Sequence, residues 1–469
     1  MAHTVVAKKI SANMNMCEGP LLKKIIMFSI PLFFTSALQL LFNTADLIIV
    51  GRSGNPLAVA AVGSTSSLIH LIVNLFMGLS SGIGVVVATA IGGHNEKTVE
   101  KTVHTSIPLA VICGAIVNLV LFCGAEWFLT LMGSPREILE LSAVYLKIYA
   151  CGMIPNMVYN FCAAILRAQG DTLRPLMFLS LSGIINVVLN FIFVVFCGMD
   201  VDGVALATSI SQVVSAILVV IELMNRSDSA KLCLRKMRIH YAELQRILRI
   251  GLPAGIQGTT FSISNVIIQS SVNSFGAIAI SGSAAAASIG NFAHCGVEAF
   301  QQTSMNFAGQ NYGARKLDRV KKSMLLCMAS VVVFELLFGG LIMVFSKPLL
   351  SLYISDSKAI GYGITRLALI VMPYFIGGMM QVVLNIIRGM GHSFFPMVIS
   401  IFSNCVFRIL WIFTVFAHFR ESSSAWTILY MSYPISWTLA VIMGFVVYYY
   451  VMKKERKALR LLQIKKGQQ

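Results

Sequence analysis

Long apolar stretches alternate along this chain with short gaps of Gly, Pro or charge. Read in order, they predict twelve helices near residues 22–50, 57–91, 102–124, 138–166, 174–197 and 203–225, then 246–275, 278–308, 320–345, 358–387, 394–417 and 424–451. A helix crosses hydrocarbon with roughly 20 mostly apolar residues, and each run supplies that many. Several are long enough to tilt or to protrude. The pattern also repeats. SIPLFFTSALQLLFNTADLIIV at 29–50 reads over GLPAGIQGTTFSISNVIIQSSV at 251–272, with Pro31 over Pro253 and Asn43 over Asn265. Gly92 with Gly313 and Pro155 with Pro373 keep nearly the same offset. Arg167, Gly170 and Pro175 in RAQGDTLRP have the spacing of Arg388, Gly391 and Pro396 in RGMGHSFFP. Six spans return a chain to the side it started from, so the two halves share one orientation. Such halves are related by a pseudo-twofold axis along the membrane normal.

The expected fold class is therefore an all-α polytopic membrane protein of twelve transmembrane helices in two six-helix lobes. Its parts are an N-terminal segment (1–21), an N-lobe (22–225), a basic linker (226–245), a C-lobe (246–451) and a basic tail (452–469). Composition agrees. Of 469 residues, 57% are apolar and 12% charged, with a mean hydropathy of +0.80. Soluble domains do not hide that much apolar surface at so low a charge density.

The formal net charge of +17 changes the picture less than it promises. A nucleic-acid binder carries its basic face on a folded soluble module, and here the charges sit in loops. With both termini on one side, that side holds 28 Lys and Arg and the other holds seven, with Arg408 inside a span. Such a bias places the termini in the cytoplasm. Residues 1–20 lack the apolar core of a cleavable signal, so the first run is read as a retained span. The expected location is a bacterial inner (plasma) membrane. Ten cysteines are scattered singly with no CxxC, which reads as small buried apolar residues and no metal site.

Acidic residues within the runs are few, and an ionisable group at membrane depth is by default a functional candidate. Asp46 leads them. It follows Asn43 by three and Pro31 by fifteen, with Gln39 between, so Asn43 and Asp46 share roughly one helix face. Pro31 removes a backbone donor and can hinge the helix. Asn186 and Asn190 stand at i and i+4, and Thr208 lies on the next span. Carboxylate, amide and hydroxyl oxygens make a cage for Na⁺ or a nest for a protonatable Asp. The amides serve equally well as bonds between helices. Glu298 follows His294 by four and can pair with it, as a helix–helix contact or a proton-responsive group of the C-lobe. Glu335 suits a structural or a coupling role. Lys147 and Arg366, ahead of Pro155 and Pro373, read as snorkelling anchors, and Arg408 as one half of a structural pairing. Gly78 and Gly82 form a GxxxG for close helix packing.

PLFFTSALQLLFNTADLIIVG, RAQGDTLRP with SGIINVVLNFIFV, GVALATSISQ and AGQNYGARK each fall on the span where the multidrug and toxic compound extrusion (MATE) family carries them. Across residues 22–451 the chain resembles that family. The resemblance implies a secondary antiporter that expels small amphipathic, often cationic compounds in exchange for H⁺ or Na⁺. It implies a cation site at Asp46, Asn186, Asn190 and Thr208, to which the helix-face argument adds Asn43. Many relatives carry a carboxylate where this chain has Asn190, which leaves ion identity and stoichiometry open.

No cofactor is expected beyond the coupling ion. The other partners are membrane lipid and substrates in a cleft between the lobes, where some of the 29 Phe and 24 Met suit a deformable pocket. Pro31, Gln39 and Glu298 are candidates for the cleft or hinge. The chain is read as a monomer that binds no nucleic acid. No Ser/His/Asp, HExxH or Walker-like pattern marks an enzyme. A flippase for lipid-linked oligosaccharides is the alternative, but it calls for a more cationic cavity. A sugar carrier of the major facilitator type calls for GxxxDRxGRR after the second span, where this chain has GGHNEKTVEK.

Overall fold

A computed structural model describes residues 14–467 apart from 53, 54 and 56. Most of the expected N-terminal segment, residues 1–13 with Lys8 and Lys9, lies outside the described residues, as do the last two residues of the tail. Every regular element of the described backbone is a helix. The first six spans are α1 (Leu21–Val50), α2 (Ala58–Gly92), α3 (Glu96–Leu131), the pair α4 (Arg136–Cys151) and α5 (Met153–Ala168), α6 (Leu173–Asn190) and α7 (Val201–Met224). The second six begin with α8 (Tyr241–Asn273), α9 (Ala277–Gly313) and α10 (Leu317–Val344). Short α11 (Ser346–Ser351) leads into the pair α12 (Ser357–Ile370) and α13 (Tyr374–Gly389). Next come α14 (Phe394–Ser400) and α15 (Phe407–Trp411) within one span, then α16 (Ala425–Gly467).

Among the described residues, nine helical segments are long and apolar enough to cross a membrane, and α4 with α5, bent by 48°, make a tenth. Helices α8 and α9, of 33 and 37 residues, are long enough but more polar, which completes twelve. Helices suit hydrocarbon because they satisfy every backbone group internally. The surface is inside-out by the standard of a soluble protein: Leu337, Val344 and Phe413 are each more than 70% exposed.

Local chemistry explains the breaks. The predicted span 138–166 divides at Gly152 and the predicted span 358–387 at Val371–Pro373. Pro155 lies in the first turn of α5 and Pro373 is the N-cap of α13, positions where the missing N–H has no intrahelical partner to lose. Helix α6 continues as a π-helical stretch, Phe191–Phe196. A matching stretch, Ile412–Phe416, begins at the repeat-related position in the second half. The tail joins α16 and stays helical to Gly467, because Lys, Arg, Leu and Glu are strong helix formers.

By packing the chain divides into two units, one built on Phe34–Gly255 and the other on Met16–Phe33 with the chain from Ile256 onward. The divisions fall inside α1 and inside α8, at equivalent points of the repeat.

In the first unit, α2 meets the opening half of α8 through glycines. A Cβ at Gly78 would stand 2.5 Å from the Gly251 carbonyl oxygen, and one at Gly82 would stand 2.6 Å from that of Ile247. Backbone cannot yield as a side-chain tip can, so Gly78→Ala is expected to destabilise by about 2 kcal/mol, as overpacking does. Thermal unfolding in detergent checks this, with the exposed Gly63→Ala as control, since a Cβ there meets nothing within 4 Å. Beyond α5 lies an ion network. Arg226, its side chain 5% exposed, reaches Asp228 at 2.9 Å and Asp171 at 3.4 Å, and Arg174 reaches Glu222 at 2.5 Å.

In the second unit, the segment ahead of α1 is tied down by its own backbone. Met16 N–H donates to Gln310 Oε1 at 3.2 Å, and Arg319 donates to the carbonyls of Glu18 and Gly19 at 2.7 and 2.9 Å. Farther along, Ser29 and Thr303 hydroxyls bond at 2.8 Å, and Phe28 meets Phe307 edge to face at 5.8 Å. A core of Trp426, Leu429, Tyr430 and Trp437 gathers α12, α13 and α16.

Candidate functional site

The first unit collects polar side chains from α1, α6 and α7 into one cluster. Gly183 lets this happen: a Cβ there would fall onto the Phe42 ring, so α6 lies directly against α1. Asp46 is one turn past Phe42, and Asn186 and Asn190 lie three and seven positions past Gly183, which puts all of them along that seam. Asn190 is fully buried and Asn186 is 4% exposed.

Hydrogen bonds link the four residues. Asn190 Nδ2 donates to Asp46 Oδ1 at 2.5 Å and toward Asn186 Oδ1 at 3.3 Å. Asn186 Nδ2 donates to Thr208 Oγ1 at 3.2 Å. The Thr208 hydroxyl donates to Val204 O at 3.0 Å and also reaches the Asp46 carboxylate. It has one proton, so it serves one acceptor at a time. Asn190 Oδ1 is buried with no hydrogen-bond partner among the described residues. A buried acceptor left without a donor is costly, and a cation supplies what it lacks. The donor set is therefore all oxygen: one carboxylate, two amide carbonyls and one hydroxyl. It fits a hard monovalent ion or a proton, and it offers no thiolate or imidazole to a softer metal.

The structure thus brings Asp46, Asn186, Asn190 and Thr208 together. Asn43 is exposed and makes no hydrogen bond to this cluster among the described residues. Three positions along a helix leave an offset of about 60°, enough to turn its amide off the seam. Gln39 is exposed too, and Pro31 lies buried inside an unbroken α1. Tyr145 and Tyr149 on α4, their rings stacked at 5.8 Å, lie within electrostatic reach of Asp46. The sequence reading missed them, although their i, i+4 spacing was the available signal.

The second unit holds the remaining candidates. His294 and Glu298 face each other at 3.9 Å, both nearly half exposed, a loose pair of little energetic weight. Glu335 is fully buried, and neither of its oxygens has a hydrogen-bond partner among the described residues. Arg408, 1% exposed, donates from Nε to Ser436 Oγ at 3.0 Å and lies 4.1 Å over the Tyr433 ring. Back in the first unit, Lys147 pairs with Glu126 at 2.7 Å in an exposed position. Arg366 departs from the snorkelling reading. Its guanidinium turns inward, donating to Ser283 and lying 5.3 Å over the Tyr430 ring, where a neutral acceptor and an aromatic face meet it.

The MatE family model matches residues 31–192 and again 253–414, once in each repeat. The chain is 26% identical over 450 residues to "Probable multidrug resistance protein YoeA" of Bacillus subtilis (strain 168), covering 93% of this chain and 95% of that protein. It is 27% identical over 391 residues to "Probable multidrug resistance protein YpnP" of the same organism, covering 83% and 87%. Among solved structures, it matches the outward-facing conformation of a multidrug resistance MATE family transporter of the MOP superfamily. That match has a TM-score of 0.88 at 23% identity and covers 95% of this chain and 99% of the other.

Proposed function

The chain belongs to the MatE family, a family of membrane transporters, and from that premise we propose that it is a cation-coupled antiporter. It exports small amphipathic, often cationic compounds by alternating access, with H⁺ or Na⁺ as the coupling ion. The observation that carries this reading is the Asp46–Asn190–Asn186–Thr208 cluster, in which a single carboxylate adjoins a buried amide oxygen that has no donor among the described residues.

Four oxygens from three helices can accept one monovalent cation, and the one negative charge offsets one positive charge. Binding then neutralises Asp46 and changes which state of the chain is favoured. A ligand drives such a shift only through different affinities for the two states. Asn190 positions the Asp46 carboxylate, and Thr208 can turn its hydroxyl oxygen toward an ion. The names of the two Bacillus relatives support drug-like substrates. The 28-to-7 charge bias supports cytoplasmic termini in a bacterial inner membrane.

Dye export from inverted vesicles, with Na⁺ and pH gradients imposed separately, tests the proposal. Export driven by one gradient is the expected result and names the ion. Export indifferent to both gradients would sink the antiporter.

A further inference from the structure

The second unit holds a cavity of about 210 Å³ whose lining includes Arg366, Tyr374, Tyr430, Tyr433, Asn265 and Asn291. Its composition is unlike that of the Asp46 cluster: a cation and aromatic hydroxyls take the place of a carboxylate and amides. The bonds of Arg366 run from Nη1 to Ser283. Among the described residues its Nε and Nη2 make no hydrogen bond, and they form the edge of the fork that grips a carboxylate with two parallel N–H···O bonds. No ion pair with Arg366 is present among the described residues.

Charge in the neighbourhood favours an anion. Arg366, Arg408 and Glu335 all lie within electrostatic reach of Tyr374, two cations against one carboxylate. Arg408 is committed to Ser436 and the Tyr433 ring. Glu298 faces His294, whose ring lies 6.0 Å from that of Tyr374. The tyrosines supply flat walls, and the Tyr433 hydroxyl donates to Asn265 Oδ1 at 3.4 Å. A drug-sized pocket occupies roughly 300–1,000 Å³, so this one suits a single small ring and its substituent. One free cationic fork matches one negative charge, whereas a doubly charged phosphate would leave a charge unpaired in a site of low dielectric.

We propose that the cavity at Arg366 is a binding site for aromatic monocarboxylates, with the carboxylate on the Nε–Nη2 edge of Arg366 and the ring between Tyr374, Tyr430 and Tyr433. Binding there needs no ion gradient, so the proposal stands or falls apart from the antiport reading.

The site carries its own reporters. Trp426 packs on Tyr430 at 5.0 Å, and Trp437 lies 5.5 Å from Tyr374 and 5.8 Å from Tyr433, which leaves two of the four tryptophans elsewhere. Tryptophan fluorescence of the purified protein in detergent, titrated with benzoate and with its neutral isostere benzamide, is the test. Benzoate is expected to quench saturably and to bind at least about tenfold more tightly than benzamide, a difference of about 1.4 kcal/mol. Arg366→Gln should erase that preference, and Arg366→Lys should keep part of it. Equal binding of the two probes by the unsubstituted protein, or no saturable response to benzoate, overturns the site without recourse to any variant. An unchanged preference in Arg366→Gln would assign benzoate to some other place.

Discussion

Asp46→Asn is expected to bring gradient-driven dye export from inverted vesicles down to the level of vesicles without the protein, a loss of at least about tenfold, or about 1.4 kcal/mol. The substitution keeps the shape of the side chain and removes the one charge in the cluster. Without the carboxylate the cluster takes up no proton and has no negative charge to offset a cation, and a ligand without differential affinity moves no equilibrium. Folding should survive. An amide at position 46 can donate to Asn190 Oδ1, which is buried with no partner among the described residues, while its own oxygen still accepts from Asn190 Nδ2. Thermal unfolding of Asp46→Asn should therefore stay within about 0.5 kcal/mol of the unsubstituted protein, the range of mild substitutions. Dye binding without a gradient should persist. Full export by the folded variant would remove Asp46 from the coupling step.

Arg226→Ala is expected to destabilise the protein by about 3 kcal/mol, the lower end of the effect of breaking a buried pair from one side. The lower end applies because Asp228 is 36% exposed and solvent screens it, whereas Asp171 is only 10% exposed. Arg226 also donates to Gln169 at 2.5 Å, so its loss strands an amide oxygen besides the carboxylates. Arg226→Lys should restore part of the stability, because an ammonium keeps the charge and loses the fork. In Arg226→Ala with Glu222→Gln, the two effects should sum to less than their separate values, as expected of residues in one network. Unfolding in detergent measures Arg226→Ala, Arg226→Lys, Glu222→Gln alone and the double variant. A loss below about 0.5 kcal/mol for Arg226→Ala would show the network to be surface decoration.

Much of this was legible in the chain. Apolar runs are read directly because hydrocarbon admits few alternatives to a helix, and the internal repeat predicts equivalent halves. The π-helical stretches after Asn190 and after Trp411, equivalent in the two halves, were not marked by sequence, since a widened turn has no composition of its own. Asp46, Asn186, Asn190 and Thr208 stood out because polar atoms are scarce in such runs. Tyr145 and Tyr149 did not, because an aromatic in a span is ordinary. Arg366 was read from its place in a run alone, and only packing shows that its guanidinium turns to Ser283 and the Tyr430 ring. Asn43 stands off the seam for the related reason that i, i+3 is an approximate alignment.

The assignment of Met16–Phe33 to the second unit fixes a timetable for biosynthesis. The first described stretch to leave the ribosome is bonded, through Met16, to a residue 294 positions later. At the usual pace of translation that is a delay of roughly 15–60 s. The opening half of α1 thus waits in the membrane while the first unit's other helices arrive. That unit in turn lacks Tyr241–Gly255 until the linker has been made. A gene cut within 226–245 would yield two fragments that each lack half a helix, able to complete their cores only by exchange with each other.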